Sequence, residues 1–261
     1  MQPFTFQQPA TLADAVHAAA GDNARPIAGG QSLLPAMRLG LAAPGTLVDL
    51  AGVPGLRGVT VGGGLVRIGA MTTHAEVAAS AELAAAIPAL AFLAHHIGDA
   101  QVRHRGTLGG SLANNDPAAC YPAAVLALGA TVHTDRRTLA ADDFFQGLYT
   151  TALADDELVT AVSFPVPDRA GWQKFKQPAS RFALVGVFVA RGPQGVRVAV
   201  TGAGPGVFRA TALEDALARD WSPAACEGVV IDPAELSSDL HASAAYRAAL
   251  IPVLAARAIA G

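Results

Sequence analysis

Two pairs of adjacent glycines, each next to small polar side chains, place the strongest constraint on how this chain folds. The first pair, residues 29–30, precedes Gln31 and Ser32, and the second, residues 109–110, precedes Ser111. Glycine backbone turns tightly, and its amides can face a phosphate without crowding from a Cβ atom. Each pair alone is explained equally well as a tight turn. Two such segments in one chain favour a long ligand with a diphosphate, held between two parts of the protein.

The first glycine pair does not match either of two well-known functional motifs completely. A nucleophile elbow requires Gly-x-Ser-x-Gly, whereas Ser32 is followed by two leucines. A dinucleotide fingerprint requires Gly-x-Gly-x-x-Gly after a strand and an acidic residue about 20 positions later. Asp49 stands at about that distance, but the glycine spacing does not fit. Two interpretations of this segment remain open. It is either an anion nest of backbone amides, with the Ser32 hydroxyl as a further donor, or a plain strand-to-helix turn.

Composition excludes several other classes of function. Hydrophobic residues make up 52% of the 261 positions and charged residues 15%, which is typical of a compact chain with its own core. Because the formal net charge is −3 and no long basic run occurs, nucleic-acid binding is not expected. Cys120 and Cys226 stand far apart, and His95 and His96 are adjacent. We therefore predict no disulfide framework, no metal site and no iron–sulfur cluster within the chain.

The first residues lack the pattern of a signal peptide, because no apolar segment follows a basic one. No apolar run reaches the ~18–20 residues that a transmembrane helix needs. We therefore expect a cytoplasmic protein without a transmembrane segment.

The pattern of apolar residues changes character twice and predicts three parts, 1–56, 57–169 and 170–261. The first part has the features of a small α/β unit. Its predicted helix has Thr11 as N-cap, and a short strand runs into the first glycine pair.

The second part begins with a predicted hairpin at three consecutive glycines, 62–64, and continues with helices. A polar, glycine-rich loop is expected to carry the second glycine pair, with an apolar helix and a strand after it. A β-meander over 171–210 and alanine-rich helices over 211–261 predict a separate α+β domain.

Four segments in this order together resemble one known family. They are AGGQSLLPAMRLG, IGDAQVRHRGTLGGSLANNDPAACYPA, FFQGLYTTALADDELVTAVSFP and KFKQPASRFALVGV. At these separations they are similar to the FAD-binding medium subunit of the molybdenum hydroxylases. That group includes aerobic carbon monoxide dehydrogenase, xanthine dehydrogenase and related aldehyde or N-heterocycle oxidoreductases, and the resemblance runs over nearly the whole chain.

The resemblance implies an α+β fold with an FAD-binding domain of two subdomains, like that of vanillyl-alcohol oxidase. A carboxyl-terminal α+β domain like that of the carbon monoxide dehydrogenase flavoprotein follows it. The implied ligand is FAD, with the first glycine segment around its diphosphate and the second against the diphosphate and ribityl. No catalytic residue and no metal ligand are expected in this chain.

The resemblance also implies which residues contact FAD. The two glycine segments and the loop after the second one supply most of them: Ala28, Gly29, Gly30, Gln31, Ser32, Leu33, Thr107, Gly109, Gly110, Ser111, Asp116 and Cys120. Ile97 is expected against the isoalloxazine. Val159 and Lys176 match positions that contact the flavin, the lysine near the ring.

Cys120 departs from the family pattern, because many relatives have an acidic residue at this position. If that acid bonds the flavin, a thiol cannot replace it, and a shifted reduction potential or a substitute partner would follow. A cysteine-rich insert is also absent. The additional iron–sulfur cluster of the benzoyl-CoA-reductase-like branch is therefore not expected.

The function implied by the resemblance is that of an electron-transfer subunit. A molybdenum cofactor in a large subunit would oxidise the substrate, and two [2Fe-2S] clusters in a small subunit would pass the electrons to FAD here. NAD+, oxygen or a quinone would accept them, and the expected assembly is a dimer of heterotrimers. The alternative is a self-sufficient FAD oxidoreductase with its own substrate. For it, the third part offers only Tyr246, His241 and Arg247, on a predicted surface helix.

Overall fold

The computed structural model describes residues 2–261, and its first unit is a small parallel sheet with two helices. The strands are β1 (Thr5–Gln7), β2 (Ala24–Ile27) and β3 (Thr46–Asp49), and the helices are α1 (Leu12–Ala19) and α2 (Leu33–Arg38). The order in the sheet is β1–β3–β2, so that Thr46 of the central strand lies opposite Thr5 and Ala24. The Thr11 hydroxyl caps α1 by accepting from the Asp14 amide, which confirms the predicted helix start.

The second unit is a five-stranded antiparallel sheet with helices and a small hairpin. Its strands are β4 (Val59–Gly62), β5 (Leu65–Gly69), β6 (Thr131–Thr134), β7 (Thr138–Ala140) and β10 (Val159–Pro165), and the hairpin pairs β8 (Phe145–Gly147) with β9 (Thr150–Thr151). The helices are α3 (His74–Ala79), α4 (Ala81–Ala86), α5 (Pro88–His95), α6 (Ala100–Arg105), α7 (Leu108–Asn114), α8 (Tyr121–Ala127) and α9 (Ala141–Phe144). The sheet order is β4–β5–β10–β6–β7, and the predicted hairpin at 62–64 joins β4 to β5.

The third unit is a four-stranded antiparallel sheet covered by helices. It contains β11 (Arg169–Lys176), β12 (Ala183–Gly192), β13 (Gly195–Thr201) and β14 (Phe208–Arg209), then α10 (Thr211–Arg219), a short 3₁₀ helix (Pro223–Cys226) and α11 (Ala244–Ala260). The predicted meander is confirmed. The prediction of helices from 211 onward is wrong over residues 227–243, which form neither helix nor strand.

Strand β12 joins the second and third units because it is buried on both faces. Its residues point alternately to opposite sides of the sheet, as the two-residue period of a strand requires. Val187 packs into the core under α10 and α11, whereas Phe188 packs into the core that also contains α8 and β10. The third unit therefore shares a core with the second. The predicted boundaries at 56 and 170 remain predictions.

The segment with the second glycine pair is helical, so the prediction of a loop there is wrong. The Asp99 carboxylate accepts from the Val102 amide and begins α6, and the Thr107 hydroxyl accepts from the Gly110 amide and begins α7. Helix α7 ends at Asn115, whose φ of 44° is left-handed. These caps and the packing of α7 outweigh the low helix propensity of glycine.

Arg247 is buried rather than exposed, which corrects the prediction of a surface position. Its guanidinium donates to the carbonyl oxygens of Leu184 and Gly202, at 2.8 and 2.9 Å, and to the Asp239 carboxylate at 2.8 Å. His241 precedes α11 rather than lying on it. No helix within residues 2–261 is both long enough and apolar enough to cross a membrane.

Candidate cofactor site

A cavity of about 680 Å³ lies where the three units meet. The residues around it come from both glycine segments, from the turn before β10 and from the third unit. Its volume falls within the range of about 300–1,000 Å³ that is usual for small-molecule and cofactor sites.

The backbones of the two glycine segments touch each other at Gly29. A Cβ atom at this position would overlap the carbonyl oxygen of Arg105 and stand 2.7 Å from the Cα of Gly106. A Cβ on Gly110 would in turn stand 3.3 Å from the Cβ of Ala28. The glycines therefore allow the loop after β2 to lie directly on the connection between α6 and α7, and this contact forms one wall of the cavity.

The first segment lines the cavity and has backbone amides without hydrogen-bond partners. None of the amides of residues 29–32 donates a hydrogen bond to any group within residues 2–261. Gly30 has a φ of 72°, the left-handed conformation that glycine adopts at no steric cost, and the Ser32 side chain makes no capping bond at the start of α2. Consecutive free amides of this kind form a nest for an anion.

The second segment differs, because the amides at the start of α7 are already bonded. Leu108 donates to the Thr72 carbonyl at 3.1 Å, and Gly109 donates to the Ala70 carbonyl at 2.8 Å. A Cβ on Gly109 would stand 2.5 Å from the Cβ of Ala70, so only glycine fits there. This segment offers hydroxyl groups and a surface without side chains, rather than a second amide nest.

Fourteen of the fifteen positions implied to contact FAD line this one cavity; Lys176 is the exception. They are Ala28, Gly29, Gly30, Gln31, Ser32, Leu33, Ile97, Thr107, Gly109, Gly110, Ser111, Asp116, Cys120 and Val159. The Asp116 carboxylate accepts from the Ala118 amide at 2.8 Å. Burial raises the pKa of Tyr149, at the tip of the β8–β9 hairpin, and Asp116 contributes in the same direction.

Lys176 lies outside the cavity and is exposed, whereas Lys174 lines it. Both lysines are on β11, and Lys176 is its last residue, beyond an irregularity in the pairing with β12. Both lysines lie in the last of the four segments that resemble the family, KFKQPASRFALVGV. Which of its two lysines faces the cavity depends on how the third unit packs against the second, and no local pattern contains that information.

Cys120 lies at the cavity wall, immediately before α8, and is 5% exposed. Burial raises the pKa of its thiol, and the ammonium of Lys174, 3.5 Å from the sulfur, opposes that rise. The thiol is therefore protonated and uncharged at neutral pH.

His74 is a cavity residue that no sequence motif indicated. It is 5% exposed, its Nδ1 atom is buried without a hydrogen-bond partner, and its ring lies 5.3 Å from that of Tyr121. Burial lowers its pKa to about 4, and the positive charge of Arg103 contributes in the same direction. His74 is therefore neutral at pH 7.

We expect His74 to make the protein less stable in mild acid. The unfolded chain binds a proton near pH 6.5 and the folded chain only near pH 4, so stability falls as the pH falls through this window. Between pH 7 and pH 5 the free energy of unfolding should decrease by about 2 kcal/mol more in the wild type than in His74→Gln. Urea titrations at both pH values measure this difference. His17→Gln, at an exposed histidine, should keep the wild-type dependence, and an unchanged dependence in His74→Gln would contradict the assignment.

Glu157 fixes the turn before β10 on the cavity wall. Hydrogen bonds from Arg137 hold the pKa of the Glu157 carboxyl at about 2 despite its burial. The same carboxylate accepts from the Ala154 amide at 3.0 Å, which closes the turn. The charge of Glu157 is thus neutralised by Arg137, so a negatively charged ligand can occupy the cavity beside it.

Residues 2–261 contain no group of three or more histidine, cysteine or carboxylate side chains placed to hold a metal ion. A long ligand with a negatively charged centre fits three features of this cavity. They are the amide nest, the surface of the second glycine segment that lacks side chains, and the Glu157 carboxylate paired with Arg137. A dinucleotide such as FAD has this form.

Comparison with known proteins identifies that ligand. Residues 2–167 match the family described as the FAD binding domain in molybdopterin dehydrogenase. The chain belongs to this family, and it binds FAD as an oxidoreductase subunit.

Among individual relatives, the nicotine 6-hydroxylase medium subunit of Paenarthrobacter nicotinovorans is 39% identical over 97% of this chain and 95% of its own. The carbon monoxide dehydrogenase medium chain of Hydrogenophaga pseudoflava is 33% identical over 98% and 96%. A solved structure of carbon monoxide dehydrogenase from Hydrogenophaga pseudoflava superposes with a TM-score of 0.90, at 34% identity, and covers 100% of this chain and 98% of that one. These matches confirm the expected fold class.

Proposed function

We propose that this chain is the FAD-carrying medium subunit of a molybdenum hydroxylase complex. In this proposal, a large partner subunit oxidises the substrate at a molybdenum cofactor, and a small partner subunit supplies electrons through two [2Fe-2S] clusters. NAD+, oxygen or a quinone accepts the electrons. The complex is a dimer of heterotrimers in the cytoplasm.

The observation that supports this proposal most directly is the single cavity that both glycine segments enclose. A relative named as a nicotine 6-hydroxylase medium subunit aligns with nearly the whole chain, including the third unit. Neither Tyr246 nor His241 lines the cavity, so neither offers a catalytic group there. A self-sufficient enzyme therefore gains no support from the third unit.

Each set of cavity residues has a distinct role in the proposal. FAD, when bound, supplies the electron-transfer chemistry. The amides of residues 29–32 and the Ser32 hydroxyl bind the diphosphate, and Thr107 and Ser111 approach it from α7. Asp116 accepts from hydroxyl groups of the ribityl chain. Ile97 would pack against the isoalloxazine, and Val159 would also contact the flavin.

The test is to isolate the tagged chain from cells that express its natural partners and to analyse cofactors and metals. We expect a flavin absorption spectrum with FAD bound to the chain, and molybdenum and iron in the subunits that copurify with it. The isolated chain should also bind added FAD and should show no substrate turnover alone.

Two outcomes would contradict the proposal in different ways. A colourless chain that cannot be loaded with FAD would exclude the cofactor role. An isolated chain that carries FAD and oxidises a small molecule without metal-containing partners would favour the self-sufficient oxidoreductase.

A further inference from the structure

Lys174 is the one lysine among the residues that line the cavity, and three contacts fix its position. Its Nζ atom donates to the carbonyl oxygen of His96 at 2.7 Å and to that of Arg181 at 3.0 Å. It also lies 3.5 Å from the sulfur of Cys120. These groups belong to three separate segments, so the ammonium is held at the point where the segments meet.

The charge of Lys174 has no opposite charge beside it. Within residues 2–261, no carboxylate oxygen lies within 4 Å of its Nζ atom, and its side-chain partners are two neutral carbonyls and a protonated thiol. An aspartate in place of Cys120 would stand next to this ammonium and neutralise it. The chain thus presents an uncompensated positive charge to the cavity, where Coulomb interactions are less screened than in water.

The surroundings of Lys174 fit the isoalloxazine end of FAD. Two apolar side chains directly follow the residues whose carbonyl oxygens accept from Nζ. Ile97 follows His96, and Phe182 follows Arg181. Ile97 and Phe182 give this end of the cavity an apolar lining. The free amides of residues 29–32 belong instead to the first glycine segment. Arg181 also lines the cavity, and its guanidinium donates to the carbonyl oxygen of Gly98 at 3.4 Å. A flat ring with one polar edge suits this combination of apolar and basic side chains.

We propose that Lys174 sets the reduction potential of the bound FAD by stabilising the reduced flavin. This inference rests on the proposed placement of the isoalloxazine beside Ile97. Reduction by two electrons with uptake of one proton adds one negative charge to the ring system. A nearby ammonium favours that charged product over the neutral oxidised ring, and charges beside the flavin ring are a recognised means of tuning it.

The experiment compares the flavin midpoint potential of the FAD-loaded chain in the wild type, Lys174→Gln and Lys174→Arg. A low-potential chemical reductant supplies the electrons, and a reference dye reports the potential. Lys174→Gln should shift the equilibrium about tenfold toward oxidised flavin, which corresponds to about 30 mV for a two-electron couple. Lys174→Arg keeps the charge and should stay close to the wild type.

Arg169→Gln is the matched control, because this cation lies on the same strand, is exposed and lies outside the cavity. It should leave the potential unchanged. An unchanged potential in Lys174→Gln, or an equal shift in Arg169→Gln, would overturn the inference while leaving FAD binding intact. Loss of FAD from Lys174→Gln would overturn it too, because Lys174 would then retain the cofactor rather than tune it. Failure of the wild type to bind FAD would instead reject the proposed function.

Discussion

Replacement of Gly29 by alanine should remove most of the bound FAD. The new Cβ would overlap the Arg105 carbonyl oxygen and stand 2.6 Å from the carbonyl carbon, and both are backbone atoms that cannot swing aside. The two glycine segments must then separate, which displaces the amide nest from the rest of the cavity. Overpacking of this kind costs about 1–3 kcal/mol. Because the free chain can relax by separating the two segments, we expect this cost to fall on the FAD-bound arrangement and to lower the FAD affinity about 5- to 150-fold.

Equilibrium titration of the FAD-free chain with FAD, followed by flavin fluorescence, measures this effect. Gly62→Ala is the control, because no atom lies within 4 Å of a Cβ built at Gly62 and its φ is not left-handed. It should bind FAD like the wild type. If Gly29→Ala retained wild-type affinity, the backbone contact would not be needed to shape the site.

Replacement of Arg247 by methionine should destabilise the third unit by about 2–6 kcal/mol, because each of two carbonyl oxygens left without its partner costs about 1–3 kcal/mol. The arginine is 3% exposed and donates to two carbonyls, so its loss leaves the buried oxygen of Leu184 and the partly buried oxygen of Gly202 without these partners. Methionine fills much of the volume but donates no hydrogen bond. Because this unit shares a core with the second, the midpoint of urea unfolding should fall for the whole chain.

Arg57→Met provides the comparison for this prediction. Arg57 forms a single ion pair with Glu76, and the two side chains are 60% and 43% exposed, so the change should alter stability by less than about 1 kcal/mol. Similar unfolding free energies for the two variants would show that the Arg247 bonds contribute little.

The sequence predicted those features that local chemistry determines. Thr11 as a helix cap, the hairpin at 62–64 and the β-meander each depend on residues close together in the chain, and the structure confirms all three. The glycine pairs also indicated a ligand between two parts of the protein. That prediction rests on the presence of two such segments in one chain, because each pair alone is explained equally well as a tight turn.

The remaining features depend on contacts between distant segments. Nothing near Arg247 in sequence shows that it donates to two carbonyl oxygens, one in β12 and one directly after β13. Likewise, nothing near Lys174 in sequence shows that Cys120 lies beside it. The glycines at 107–114 predict a loop, whereas the structure has a helix there. Packing of Gly109 against Ala70, far away in sequence, is what makes a helix favourable there.

The contribution of the third unit to the cavity bears on how such flavoproteins diverge. The segment that matches the family, residues 2–167, contains the amide nest but ends before Lys174 and Phe182. In the proposed placement of FAD, one region of the chain therefore holds the nucleotide, while another region borders the same cavity and can change independently. Natural selection could alter how readily the flavin accepts electrons through substitutions in β11 and the loop after it, without weakening the hold on the diphosphate.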